Sequence, residues 1–322
     1  MKRIANRIAL TVAFIFILCQ NVSAVELLIP GGQLIGLELG DHTVTVAAFD
    51  DTLGTAARAA GLKVGDKITR IDTQTIQCAE DIRQALRCSD GQVDISILRD
   101  GKAKTLKLSP QITTQGPRLG VYLKQGVTGV GTVTWYDPDS GRFAALGHGV
   151  NTSSGDLLNM RQGRAYKASV QSVKKGVAGE PGQLLGFLNG AEPIGSLSKN
   201  TIQGVFGTAD SPWHGKALPI ASADQIQTGS AIIRSTVQDS QVQEYSVEIL
   251  KIYPNSKSSG RNMLLRITDP ALLQTTGGIV QGMSGSPIIQ DGKLVGAVTH
   301  VLVNDPTTGY GIFIENMLDA AA

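Results

Sequence analysis

The stretch "GIVQGMSGSPII" (278–289) decides how the rest of the chain is interpreted. An apolar, strand-like run stops at six small residues (282–287) and resumes at Ile288. Small residues crowded into a turn let the backbone approach a neighbour closely, or leave its N–H groups pointing at one spot. The N–H groups of Gly282 and Ser284 can converge here, beside the Ser284 hydroxyl. Acyl transfer requires this arrangement, because two donors must lie about 3 Å from the oxyanion of its tetrahedral intermediate.

This loop resembles the Gly-Asp-Ser-Gly-Gly-Pro nucleophile loop of chymotrypsin-like peptidases, with Met283 and Ser286 as departures. The segments "LVGAVTHV" (294–301) and "GYGIFI" (309–314) resemble the two strands that wall the substrate pocket in that family. The resemblance therefore implies that Thr299 and His300 line the pocket. A plain small-residue turn between two strands is the alternative.

A serine hydroxyl needs a general base to react near neutral pH, and the chain has four histidines. His42 lies in the N-terminal unit, His214 in a predicted surface loop, and His300 on an alternating strand that favours a structural or substrate-lining role. His148, in "AALGHGV" (144–150), ends an apolar strand between two glycines and precedes the serine in the chain, as in chymotrypsin-like peptidases. We predict His148 as the base, with a purely structural histidine as the alternative.

A carboxylate should fix the tautomer of that histidine, and four aspartates are candidates. Asp137 and Asp139 lie in a "DPDSG" turn and should be solvated, and Asp156 follows a neutral stretch. Asp269 ends the apolar strand "MLLRIT" (263–268) just before "PALLQTTGG", so the strand can deliver it toward the nucleophile loop. Asp269 is therefore the favoured candidate.

The composition agrees with a mainly β protein. The chain has 322 residues, of which 42% are hydrophobic and 17% charged, so it can bury a substantial core and form two domains. Its 38 glycines and 5% aromatics suit short strands joined by tight turns. About ten strand-length segments follow residue 129, which predicts one sandwich or a pair of barrels. The chymotrypsin-like resemblance implies a double β-barrel.

Residues 27–108 read as a separate α+β unit of short strands and two helices. Its segment "AARAAGLKVGDKITRID" (56–72) resembles the PDZ domains of exported bacterial proteases. In that family a glycine-rich loop binds the C-terminus of a peptide, which adds to the sheet edge. The resemblance assigns this loop to Gly31, Gly32, Gln33 and Leu34. Glycines that merely turn the chain are the alternative, and a PDZ fold can also dock or inhibit.

The predicted boundaries are a signal peptide or signal anchor (1–24), a PDZ-like domain (25–110), a linker (111–120) and a serine peptidase domain (121–322). The leader has a basic start, the apolar run "IALTVAFIFIL" (8–18) and small residues before Ala24. It is short for a membrane span, which needs about 20 apolar residues. We therefore expect export, with an uncleaved membrane tether as the alternative.

Charge and cysteine content exclude other classes. The formal net charge is +2, and three of the 29 basic residues lie in the leader, so 26 remain against 27 acidic residues and nucleic acid is not an expected partner. Cys78 and Cys88 flank a predicted helix that places their Cα atoms about 15 Å apart, too far for a disulfide. The sequence has no His-Glu-x-x-His motif or Cys/His cluster, so we expect no metal and no cofactor.

The whole chain resembles the stage IV sporulation protein B family of serine peptidases. The resemblance rests on the leader, the PDZ-like unit, "YDPDSGRFAALGHGV" (136–150) and "ITDPALLQTTGGIVQGMSGSPIIQDGKLVGAVTHV" (267–301). It implies a triad of His148, Asp269 and Ser284, with the acid 15 residues before the serine. Typical members follow "GHG" with an acidic stretch, whereas this chain stays neutral until Asp156.

The resemblance also implies a biological role. Family members are exported into the space between forespore and mother cell, cleave themselves, and cleave a membrane-bound regulator of an intramembrane metalloprotease. This cleavage permits activation of a late sigma factor. The residues alone predict an exported serine peptidase with a peptide-binding module. A non-catalytic exported docking protein, with a PDZ domain on a peptidase scaffold, is the alternative from another class.

Overall fold

A computed structural model describes residues 27–152, 155–238, 241–256 and 260–322. The predicted leader (1–24) lies outside these residues. No helix in the described ranges is long and apolar enough to cross a membrane.

The described residues form strands and helices with the following bounds. The strands are β1 (Leu27–Pro30), β2 (Leu34–Phe49), β3 (Lys67–Ile71), β4 (Gln74–Thr75), β5 (Val93–Arg99), β6 (Lys102–Leu108), β7 (Gln111–Thr113), β8 (Gly116–Arg118), β9 (Val121–Tyr136), β10 (Arg142–Ala145), β11 (Met160–Lys174), β12 (Gln183–Thr201), β13 (Gly204–Ala209), β14 (Leu218–Pro219), β15 (Gly229–Ser235), β16 (Gln243–Ile252), β17 (Met263–Ile267), β18 (Pro287–Gln290), β19 (Lys293–Leu302) and β20 (Asp305–Phe313). The α-helices are α1 (Thr55–Ala59), α2 (Ala79–Cys88), α3 (Pro270–Thr276) and α4 (Ile314–Ala321).

Two antiparallel barrels form the body of the protein. The first follows the order β9-β10-β13-β12-β11-β2 and closes because β2 also pairs with β9. The second is closed in the order β15-β16-β17-β20-β19-β18. Alternate residues point inward along their strands, as in β17, where Met263, Leu265 and Ile267 are buried. The prediction of a mainly β, chymotrypsin-like double barrel is confirmed.

The PDZ-like unit is an extension of the first barrel. β2 pairs with β9 and β11 from Leu34 to Gly40, and then continues from Val44 to Phe49 as a strand of the PDZ-like sheet beside β3. β9 does the reverse, because its first residues pair with β2 in that sheet and its later ones pair with β2 in the barrel. Two long strands therefore run through both units.

Helix α2 covers the core of the PDZ-like unit. Its buried residues Ile82, Ala85 and Leu86 lie one turn apart on a single face, as helical periodicity requires. Asp81 caps its start by accepting hydrogen bonds from the N–H groups of Gln77 and Cys78. The helix predicted from its formers and apolar spacing is present, and Cys78 and Cys88 are free thiols, as predicted.

The "VGD" motif of the PDZ-like unit ends in a buried ion pair. Asp66 is 1% exposed and accepts two hydrogen bonds of 2.6 Å from the Arg99 guanidinium. It also accepts the Lys63 N–H. Burial is the largest single influence and raises the pKa of Asp66, but the hydrogen bonds from Arg99 and Lys63 and the positive charges of Arg99 and Lys104 together lower it below its ordinary value. This pair joins the loop after α1 to β5.

The predicted domain boundaries differ from those of the structure. Residues 34–41, inside the predicted PDZ-like domain (25–110), supply the part of β2 that pairs in the first barrel, and β1 pairs with β9 beside it. The segment predicted as a linker (111–120) contains the β7–β8 hairpin. Its residue Leu119 is 5% exposed and packs in the PDZ-like core. Sequence patterns did not reveal this division, because β2 and β9 each run through both units.

Candidate active site and peptide groove

The nucleophile loop is fixed by its glycines and its own backbone. Gly282 and Gly285 adopt φ values of 100° and 97°, which side chains disfavour. A Cβ atom at Gly285 would also overlap the carbonyl of Thr132. Met283, which departs from the chymotrypsin-like motif, is fully buried and anchors the loop in the second barrel.

A strand of the first barrel holds this loop from the other side. Thr132 of β9 donates its N–H to the Ser284 carbonyl over 3.0 Å, and its Oγ1 to the Gly282 carbonyl over 2.7 Å. Thr132 is completely buried, so these bonds are protected from water. The site is therefore built where the two barrels meet.

His148 reaches the interface on a strained loop. Leu146, just after β10, adopts φ 73° although it is not a glycine, and its side chain is 4% exposed. Such left-handed backbone costs roughly 1–2 kcal/mol and is common at functional sites. Gly147 follows at φ 68° and leaves room for Thr299, because a Cβ there would lie 3.0 Å from the Thr299 methyl group.

Ser284 and His148 line the same cavity. This cavity, which we call the catalytic cavity, has a volume of about 360 Å³ and also contacts Gly282. Ser284 Oγ donates to the Thr299 carbonyl over 2.8 Å, so the hydroxyl is not bonded to the imidazole in this conformation. The structure thus brings the predicted nucleophile and base together without a direct hydrogen bond.

The hydrogen bond of His148 sets its tautomer. Nδ1 lies 2.9 Å from the Gly149 carbonyl, and a carbonyl can only accept, so Nδ1 carries the proton and Nε2 of the neutral ring is free to accept one. Burial lowers the pKa of His148, and the Gly149 bond opposes this only in part. The neutral form required of a general base is therefore favoured.

Two N–H groups of the nucleophile loop remain available. Met283, Gly285 and Ser286 donate theirs to backbone carbonyls. Within the described residues, the N–H groups of Gly282 and Ser284 have no acceptor. These are the two donors predicted for the oxyanion.

Asp269 lies at the N-terminus of a helix. It is the N-cap of α3, where Oδ1 accepts the Leu272 N–H over 3.0 Å and Oδ2 is 3.4 Å from the Ser246 N–H. No hydrogen bond or ion pair in the described part of the chain joins it to His148. The place of Asp269 in a triad stays a prediction.

Neither of the two residues predicted to wall the substrate pocket lines the catalytic cavity. The Thr299 side chain is buried and donates to the carbonyls of Gly260 and Tyr310, so this residue contributes its carbonyl rather than a wall. The ring of His300 lies 5.3 Å from that of His148, centre to centre. Burial, then His148 and Arg261, lower the pKa of His300 to about 4, so a neutral imidazole stands beside the base.

The predicted peptide-binding loop is wrong. Gly31 and Gly32 donate their N–H groups to the carbonyls of Thr134 and Val133, so neither is available to a peptide carboxylate. A Cβ at Gly31 would overlap the Val133 carbonyl, which explains the glycine. Gln33 accepts the Val133 N–H. Leu34 packs in the core of the second barrel.

A groove in the PDZ-like unit lies instead between α2 and the start of β9. Its volume is about 500 Å³, and Ile82, Arg83 and Leu86 of α2 form one wall. The residues 119–123 form the other wall, and the β7–β8 hairpin closes one end. From Val121 to Gln125, β9 pairs with β2 along one edge; no other described strand pairs with this part.

The sequence contained a signal for this groove. In "GPRLGVYL" (116–123), a glycine stands between two apolar residues just before a strand. Gly120 adopts φ 68°, and a Cβ there would overlap the Leu53 carbonyl. The proline and polar residues of the segment favour a linker instead, which hides this signal.

No group of three or more His, Cys, Asp or Glu residues that could hold a metal occurs in the described ranges.

Comparison with solved structures finds a PDZ domain and two proteases among the similar proteins. The PDZ domain of the SdrC-like protein from Listeria monocytogenes is 22% identical over 26% of this chain and 87% of its own, with a TM-score of 0.22. The active form of the Rv3671c protease from M. tuberculosis is 14% identical over 60% of this chain and 73% of its own, with a TM-score of 0.37. The HtrA-type protease AlgW with decapeptide is 13% identical over 64% of this chain and 56% of its own, with a TM-score of 0.37.

Comparison with protein families is more specific. None of the curated proteins matches the chain. Residues 34–109 match the PDZ domain family. Residues 115–318 match the family described as SpoIVB peptidase S55, and this match spans more than half of the chain. The chain therefore belongs to the SpoIVB peptidase S55 family and carries a PDZ domain.

Proposed function

We propose that the protein is an exported serine endopeptidase in which Ser284 is the nucleophile and His148 the general base. The observation that carries this proposal is the shared catalytic cavity of Ser284 and His148, with two unused N–H donors on the nucleophile loop. The family match supports the same chemistry.

The geometry suggests the following sequence of steps. Rotation of the Ser284 side chain moves its hydroxyl from the Thr299 carbonyl to Nε2 of His148, which takes the proton as Oγ attacks the substrate carbonyl. The N–H groups of Gly282 and Ser284 stabilise the oxyanion. The imidazolium then protonates the leaving amine, and water hydrolyses the acyl-enzyme with His148 again as base.

The resemblance to this family assigns Asp269 as the third member of the triad. In the described contacts, the Gly149 carbonyl holds Nδ1 of His148, and Asp269 caps α3. A triad would require His148 and Asp269 to approach each other. The role of Asp269 is therefore a prediction with its own test, developed in the Discussion.

Labelling with a fluorophosphonate tests the proposed chemistry. The full chain should be labelled at Ser284, the Ser284→Ala variant should not, and His148→Ala should react far more slowly because the hydroxyl loses its base. Absence of labelling in the folded wild-type protein, or labelling that persists in Ser284→Ala, would contradict the assignment.

A non-catalytic docking protein is the second candidate. The observations that favour it are the Ser284 hydroxyl bonded to Thr299 rather than to His148, and the hydrogen bond of Asp269 to the Leu272 N–H of its own helix. It predicts a folded protein that binds peptides and neither reacts with a fluorophosphonate nor cleaves a polypeptide. The labelling experiment separates the two candidates.

The groove beside α2 is the proposed peptide-binding site of the PDZ domain. An extended peptide would pair with β9 at Val121–Gln125 and place side chains against Ile82 and Leu86. Arg83 and Arg118 line the groove and are the cations available to a terminal carboxylate.

Fluorescence anisotropy with labelled peptides tests this site. A hexapeptide with an apolar last residue and a free carboxylate should bind more tightly than its C-terminal amide. The charge reversal Arg83→Glu should weaken binding of the free acid, because Arg83 is about half exposed and its replacement leaves the core intact. Equal binding of acid and amide would refute carboxylate recognition.

The proposed biological role is that of a sporulation signalling protease. The S55 family match supports it. The protein would act between forespore and mother cell, cleave itself, and cleave a membrane-bound regulator of an intramembrane metalloprotease, so that a late sigma factor becomes active. N-terminal sequencing of the mature wild-type and Ser284→Ala proteins tests export and self-cleavage, because leader removal occurs in both and self-cleavage only in the former.

A further inference from the structure

A second cavity adjoins the catalytic cavity. This side cavity has a volume of about 350 Å³ and is bounded by Leu184, Leu185 and Leu188 of β12. Both cavities are lined by Leu37 of β2 and by Gly129 and Val130 of β9. The shared residues place the two cavities side by side, and we call the pair the cleft.

The walls of this cleft are predominantly apolar. Besides Leu37 and Val130, the catalytic cavity contacts Leu39, Val127, Leu146 and Val150. In the side cavity, Leu185 is 45% exposed and Leu188 is 46% exposed. Exposed leucines in a cavity that adjoins the catalytic cavity leave apolar surface that a substrate can bury.

The charged residues of the cleft also favour apolar over acidic substrates. Among the described residues that line either cavity, the one charged side chain is Glu38, which accepts a hydrogen bond from Tyr166 over 3.1 Å. A carboxylate there disfavours acidic substrate residues, and no lining Lys or Arg compensates for one.

Gly129 lines both cavities. A Cβ placed on Gly129 would meet no atom within 4 Å, so this glycine faces open space. Its neighbour on the same strand, Gly131, differs, because a Cβ there would overlap Leu146. The packing of the protein explains Gly131 but leaves the absence of a side chain at Gly129 unexplained.

We propose that this cleft selects polypeptide substrates with a bulky apolar side chain close to the scissile bond, and that Gly129, Leu37 and Leu188 determine this specificity. The apolar side chain passes over Gly129 and packs between Leu37 and Leu188. The proposal rests on the proposed peptidase activity, since it names the substrate class of the same site.

Peptide cleavage by the full chain tests it. A tryptic digest of a bacterial extract serves as the substrate library, and mass spectrometry identifies the bonds cut by the wild type and not by Ser284→Ala. We expect Leu, Ile, Phe or Met at one fixed position beside the cut bond. Synthetic peptides with Leu, Ala or Asp at that position should then show kcat/KM at least about tenfold higher for Leu than for Ala, and lowest for Asp.

Two variants locate the specificity. Gly129→Leu fills the open space beside Gly129 and should remove most of the preference for Leu over Ala, while a thermal melt confirms that it folds. Leu188→Glu should lower kcat/KM for the Leu peptide about tenfold or more. Ile202→Glu is the matched control, because Ile202 is 51% exposed, lies just after β12 and contacts neither cavity.

The outcomes are distinguishable from failure of the proposed function. A folded wild type that neither cleaves peptides nor reacts with a fluorophosphonate overturns the peptidase and the inference together. A labelled, active enzyme that cuts beside polar or acidic residues as readily as beside apolar ones overturns the inference alone. An unchanged Leu-to-Ala preference in folded Gly129→Leu also overturns it.

Discussion

The replacement of Asp269 by Asn separates the two roles open to this residue. In the structure, Oδ1 accepts the Leu272 N–H and Oδ2 faces the Ser246 N–H. Asn offers one oxygen in the same place and no charge, and Asn and Asp are about equally good N-caps. A capping role therefore survives Asp269→Asn, whereas a triad role, which needs the negative carboxylate, does not.

The two roles predict effects of very different size on stability and on kcat. Loss of the cap in Asp269→Ala should cost about 0.5–2 kcal/mol of unfolding free energy. Asp269→Asn should change it by a few tenths of a kcal/mol, from the lost interaction of a carboxylate with the helix dipole. Replacing a triad Asp by Asn lowers kcat by about 10⁴, because the histidine takes the wrong tautomer. Since the Gly149 carbonyl holds Nδ1 of His148 in the structure, we expect Asp269→Asn to retain activity within about tenfold.

Urea unfolding and peptide cleavage are measured on the same preparations of wild type, Asp269→Asn and Asp269→Ala. The capping role predicts one order of stability, with wild type close to Asn and Ala lowest, and activity that follows it. A loss near 10⁴ in Asp269→Asn at unchanged stability would refute this reasoning. It would place Asp269 in the triad, as the family resemblance implies.

Two further substitutions and one pH dependence test the nucleophile loop, the PDZ-like unit and the general base. Thr132→Val removes the buried hydrogen bond to the Gly282 carbonyl, which should cost about 1–3 kcal/mol and slow fluorophosphonate labelling of the folded protein; an unchanged rate would show that the loop does not need this bond. Asp66→Asn removes the carboxylate that accepts two hydrogen bonds from Arg99, which keeps the Gly61 carbonyl as an acceptor, and should lower the unfolding free energy by about 1–3 kcal/mol in denaturant titration; an unchanged free energy would contradict a stabilising pair. Burial lowers the pKa of His148 from 6.5, so the base stays neutral as the pH falls through 6.5, and the acid limb of kcat/KM should lie below that pH; a limb above it would contradict burial as the dominant influence on the imidazole.

The nucleophile loop and His148 could be predicted because their signals are local. Gly282 and Gly285 are required by positive φ values within a single turn, and His148 directly follows a buried strand. The strand alternation that predicted the barrels is also local, since each strand repeats its pattern every two residues. Features that depend on only a few neighbouring residues could therefore be predicted from the sequence.

The residues whose roles the sequence left ambiguous depend on contacts that sequence patterns do not reveal. Gly31 is explained by the Val133 carbonyl, about a hundred residues later, so its pattern resembles that of a binding loop. Gly120 is explained by Leu53 in the same way. Asp269 reads as a catalytic acid at the end of a strand, yet an Asp before Pro270 is also a typical helix start. Sequence alone does not decide between these readings.

The insertion of the PDZ-like unit follows from the pairing of β2 with β9. These strands are neighbours in the first barrel, where Leu39 faces Val127, and they remain neighbours as they leave it, where Val44 faces Gln125. The chain thus enters and leaves the PDZ-like unit at adjacent points, which is the condition under which an inserted domain does not disturb its host. The barrel closes through the same strand pair that carries the insertion. The first barrel is therefore discontinuous in sequence, because residues 34–41 pair in it with strands that follow the PDZ-like unit.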